Sequence, residues 1–199
     1  MSVHKLGFIL TLLALTATAC QRGPTSAEVV SSPAQPGQTA ATAAVPSEAS
    51  LSTPAPYVSA TIELIERYAT QAQALSAQLK PGVDTAAAAN AAESLLEIGA
   101  AIVPAFVERH PHCREYMAAA LQVQDVWRQM DAATLERDFH NDGALPEVQG
   151  DANTCYHMKD LVVHPATALV LLSQSPQDVE GANREITEVI AHAHVVRQM

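Results

Sequence analysis

His157, Asp160 and His164 have the types and the spacing to do chemistry together. At 100° per residue they fall on one face of a helix, over two turns. Neutral imidazole plus carboxylate is a donor set for zinc or another transition ion. His140, with Asp142, can join from a turn that precedes them. A plainer account uses the same residues: His164, beside Pro165, caps a helix, and Asp160 pairs with Lys159 or a neighbouring Arg. An acid–base site would instead need His140, Asp142, His157 and Lys159 to converge in one pocket. Noncovalent haem, held by His and Met across a bundle, leaves no local signature and stays open.

Cys113 and Cys155 are the two thiols beyond position 20. In an oxidising compartment such a pair is expected to form a disulfide. The competing expectation is a pair of thiolates for copper(I), with His112 and His157 flanking them. Glu185, Glu188 and His192 also share a helix face, but one away from the apolar stripe, so a solvated surface is expected there. His194 reads as a boundary residue, and His110 and His112 as parts of a connection around Pro111.

Several chemistries lack their motifs. Cys-x-x-Cys-His, His-Glu-x-x-His and the Glu-x-x-His of di-iron bundles do not occur. Nor do Gly-x-Ser-x-Gly, a P-loop or a dinucleotide fingerprint, and 8 glycines leave little for phosphate-cradling loops.

The elements that must position these residues are helical. From Tyr57 to Leu79, apolar residues recur at spacings of three and four until Lys80-Pro81-Gly82. Asp84 can cap a second helix that runs to about Arg109, with Pro104 expected to kink it. A third begins at Cys113, and Asp131 either caps a new segment or lies inside a continuous helix. Residues 140–146 are turn chemistry, in a loop reaching Asp151 or Asn153. A fourth helix, from about Thr154 to Leu172, is apolar on all sides after Asp160, which implies central burial. Pro165 should kink or restart it. A last helix, opening near Ser175-Pro176, keeps its apolar stripe to the C-terminus. No alternating strand pattern occurs, and the fold class expected is all-α, a four- or five-helix bundle over residues 57–199.

Composition agrees with close helix packing: aromatics make up 4% of the 199 residues, and alanine is abundant. The formal net charge is −10, and without residues 1–19, which hold Lys5 and no acid, it is −11. With no basic cluster, nucleic acid is not an expected partner.

The N-terminus reads as an address. His4 and Lys5 precede the mostly apolar run Leu6 to Leu15, and Thr16-Ala17-Thr18-Ala19 leads into Cys20. The run is too short to span a bilayer and ends in small residues, like a secretory signal. It resembles the signal of a bacterial lipoprotein, with Ala17 where the family pattern has a leucine-like residue. The resemblance covers residues 1–20 alone. It implies cleavage after Ala19, lipidation of Cys20 with palmitate among the acyl chains, and membrane lipid as partner. Gln21, where aspartate often signals inner-membrane retention, implies the outer membrane, facing the periplasm. Residues 20–56 are rich in Ala, Ser, Thr and Pro without apolar periodicity, a disordered tether. The expectation is thus a lipid-anchored envelope module, non-catalytic, that binds a partner or a transition metal through His157, His164, Asp160 and His140.

Overall fold

The computed structural model describes residues 56–199; the signal, Cys20 and nearly all of the tether lie outside the described residues. Within them the fold is all-α. Four long helices, α1 (Ser59–Gln78), α2 (Thr85–Arg109), α6 (Ala152–Ser173) and α7 (Val179–Gln198), close a ring in which each packs on two others. The connection between α2 and α6 carries three short helices, α3 (Arg114–Ala120), α4 (Val123–Val126) and α5 (Ala132–Leu135), and lies across α6.

Aspartates begin four of the helices. Asp84 accepts from the amides of Ala86 and Ala87, and Asp131, Asp151 and Asp178 cap α5, α6 and α7 in the same way. Each satisfies N–H groups that have no partner within the helix. Asp131 decides the question left open by the sequence: the chain breaks there, after a 3₁₀ turn over Trp127–Gln129. That break lets the connection fold back. Cys155, at the start of α6, meets Cys113 before α3, and the two form a disulfide with Cα atoms 5.3 Å apart. The thiolate site for copper(I) is thereby corrected, because both sulfurs are bonded to each other.

α6 is the centre of the molecule. Every residue from 158 to 172 is buried, since α2, α7 and the connection cover it on all sides. Burying side chains such as Leu161 and Leu169 stabilises the fold by about 1.5–3 kcal/mol each. Pro165 neither stops nor restarts this helix. Its missing N–H would leave the Leu161 carbonyl without the usual partner four residues on. The Tyr68 hydroxyl of α1 donates to that oxygen instead, at 2.7 Å. Gly99 of α2 makes room for the approach, for a Cβ built there would stand 2.3 Å from the same oxygen. Pro104 likewise sits inside an uninterrupted α2, on an exposed face.

After α5 the chain widens into a π-helical turn, Glu136–His140, followed by Asp142 at a φ of 59°. Turns of this kind aim backbone groups away from the regular ladder. Here the His140 carbonyl is turned toward α6, where Lys159 reaches it.

Candidate metal centre

Along α6 the sequence places His157, Asp160 and His164; along α7 it places Glu185, Glu188 and His192. Both sets have the same spacing, first residue, third after it, seventh after it. The helices run antiparallel and pack face to face, so each histidine lies opposite the other helix's carboxylate. Nε2 of His192 is 3.4 Å from Asp160 Oδ2, and Nε2 of His164 is 3.8 Å from Glu188 Oε2. The first residue of each set takes the outer nitrogen of the opposite ring. Glu185 Oε2 is 2.7 Å from Nδ1 of His164, and Nδ1 of His157 is 2.9 Å from Nδ1 of His192. The arrangement approximates a two-fold axis between the helices.

The expected solvated face is therefore corrected for Glu185 and His192, while Glu188 stays exposed as expected. These residues form half of the cluster, because the stripe beside the apolar seam of α7 meets a helix buried all round. The repeated spacing was the available signal, and only a comparison of the two helices would have exposed it.

The chemistry of the cluster follows from what its atoms lack. Asp160 and His164 are 0% exposed, yet both Asp160 oxygens and Nε2 of His164 have no hydrogen-bond partner. A buried polar atom without a partner costs about 1–3 kcal/mol, and a charged one more. His164 Nε2 also lies 3.8 Å from Asp160 Oδ2, one turn away on the same helix. Ligand atoms of Asp160, His164 and His192 all fall within 4.8 Å of one another, as do those of His140, His164 and Glu188. His140 packs its ring 5.0 Å from that of His164, while its own Nδ1 is 3.1 Å from Glu136.

Environment separates the two facing imidazoles. Burial opposes charge on His164, but its bond to Glu185 and the nearby Asp160 carboxylate hold it above the usual histidine range. Burial pushes His192 down to about 4, with His164, His157 and Lys159 adding to the effect against Asp160. With Nδ1 of His164 donating to Glu185, Nε2 is the atom that faces Asp160 and Glu188, and it offers a lone pair when the ring is neutral.

Family models, curated proteins and solved structures yield no match to this chain.

Of the residues singled out in the sequence, Asp160, His164 and His140 border the same space. His157 does not; it touches His192 from behind. Lys159 does pair with Asp160, at 3.4 Å, as the plainer account expected. It is 0% exposed and also donates to the His140 carbonyl at 2.7 Å and to Asp142 at 2.8 Å. Asp142 in turn accepts from the Tyr116 hydroxyl at 2.8 Å. The acid–base set of His140, Asp142, His157 and Lys159 thus splits, with the lysine's protons committed and His157 facing another helix. His112, beside the disulfide, is exposed and 3.2 Å from the Asp151 carbonyl. His110 is buried against the Phe106 ring with Nε2 unpartnered, more than a piece of connection. His194 is exposed on α7 beside Gln198.

Proposed function

We propose that this chain is a lipid-anchored envelope module that binds a divalent transition metal through Asp160, His164 and His192, without catalysis of its own. The carrying observation is the buried Asp160 carboxylate, with no well-formed hydrogen bond and an ion-pair contact to Lys159 at 3.4 Å, turned with His164 Nε2 and His192 Nε2 on one small space. Two imidazoles and a carboxylate suit a borderline ion such as zinc, cobalt(II) or iron(II). Glu185 and His157, on the outer nitrogens, would fix the rings and raise their donor strength, as such partners do at metal sites. Haem finds less support, since His164 is buried with carboxylates against both ring nitrogens. The anchoring half of the reading rests on residues 1–20 and their likeness to a lipoprotein signal, and it places the module at the outer membrane on the periplasmic side.

The test is metal content of the purified full-length chain by mass spectrometry, with titration of the stripped protein by zinc and cobalt(II). One ion per chain is expected, and none in Asp160→Asn or His164→Gln. A wild-type chain that takes up neither ion would overturn the reading.

A further inference from the structure

An ion bound here must reach a pair of ligands with no exposed surface. Asp160 and His164 are fully buried, and the His192 side chain is 14% exposed. A dication arrives with a tight shell of water, and it enters such a space only as protein atoms replace that shell.

Two partly exposed groups of residues border the cluster. One is the hollow whose lining includes Tyr116, Asp142, Leu145, Pro146, Glu147 and Tyr156. Its Asp142 and Tyr156 are separated from Asp160 by Lys159, whose ammonium is 2.8 Å from Asp142, 4.6 Å from the Tyr156 ring centre and 3.4 Å from Asp160 Oδ1. A cation meets a like charge there. The other group is Glu188, with its side chain 56% exposed, and His140, 22% exposed. There a cation meets a carboxylate and an imidazole, whose ligand atoms lie within 4.8 Å of His164. His164 belongs to both this outer set and the buried one. Its other nitrogen is held by Glu185, so Nε2 is the atom that both sets share.

We infer that His140 and Glu188 form an outer capture position for the divalent ion, which passes inward to Asp160 and His192 while His164 Nε2 remains its ligand. This rests on the metal reading above and adds the route and its residues. The outer pair exchanges water for one carboxylate and one imidazole. The inner pair then exchanges the outer ligands for a carboxylate and an imidazole of the same kinds. Glu188 and His140 therefore control how fast the ion enters and leaves, and little of how tightly it is finally held.

Stopped-flow absorbance of cobalt(II) binding to the stripped full-length chain reads this directly. Glu188→Gln and His140→Gln should each slow loading about tenfold, the scale on which charged clefts speed association, and slow release by the same factor. The final cobalt spectrum, the dissociation constant and a stoichiometry of one ion should stay as in wild type. Glu188→Asp should recover most of the rate. Glu180→Gln removes the same charge from a 90% exposed side chain on α7 and should change nothing. Unchanged loading rates in both variants would overturn the inference, as would a loss of affinity without slower entry, which makes Glu188 an ordinary final ligand. Two ions per chain would overturn it too. All three results leave the buried site standing, whereas failure of wild type to bind cobalt removes both.

Discussion

Glu185 Oε2 accepts a 2.7 Å hydrogen bond from Nδ1 of His164, joining α7 to the most buried imidazole of the molecule. That contact fixes which ring nitrogen faces the space shared with Asp160, Glu188 and His192. A carboxylate behind a ligating histidine raises its basicity, and loss of such a partner costs about 10–100-fold in metal affinity. Glu185→Gln should therefore weaken zinc binding by that order in competition with a chromophoric chelator, with far-UV circular dichroism unchanged. Undiminished affinity would deny Glu185 this role.

Metal removal should lower the unfolding free energy of the wild-type chain. With free ion at 100 times its dissociation constant, a site that exists only in the folded state adds about 2.7 kcal/mol. Zinc should raise the melting temperature of wild type and leave Asp160→Asn unmoved. Equal shifts in the two proteins would place the ion elsewhere.

The Tyr68–Leu161 hydrogen bond compensates for the N–H that Pro165 lacks. Tyr68→Phe leaves a buried carbonyl unpaired and should cost about 1–3 kcal/mol in denaturant unfolding. Gly99→Ala should cost about 2–4 kcal/mol, because its new Cβ presses on backbone rather than on a side chain that can turn away. A Gly99→Ala protein as stable as wild type would mean that α2 can move off α6 freely.

Cys113 and Cys155 close a loop spanning 42 positions. In the chain-entropy model, that closure contributes about 4 kcal/mol. A Cys113→Ser/Cys155→Ser double variant should lose stability on this scale, measured as the midpoint of urea unfolding. A loss below about 1 kcal/mol would show that the unfolded chain gains little freedom from the break.

His110 gives a pH dependence apart from the metal centre. Burial lowers its pKa below the usual histidine value, and Arg109 and His112 add to the effect against Asp151. The unfolded chain then takes up a proton that the folded chain resists. The contribution is intact above about pH 6.5 and is lost as pH falls through 6.5 toward the folded value. The drop in melting temperature from about pH 7 to pH 5 should be smaller in His110→Gln than in wild type. An identical drop would assign the acid sensitivity to other groups.

Much of the fold was legible along the chain, since helices announce themselves through local rules. Three- and four-residue apolar spacing, aspartates at helix starts and the all-round apolar run after Asp160 determined an all-α bundle with a buried helix after the 140–151 loop. The same rules set His157, Asp160 and His164 on one face, and the cysteine pair implied its bridge. What periodicity cannot say is which faces meet. A polar residue on a stripe beside an apolar seam looks solvated until a neighbouring helix arrives, and for Glu185 and His192 that neighbour is α6. The pairing of α6 with α7, the turning of His157 away from the centre and the use of Tyr68 to complete a proline-interrupted helix were decided by tertiary packing alone. The physical reason is that burial belongs to pairs of surfaces, whereas sequence spacing describes one surface at a time.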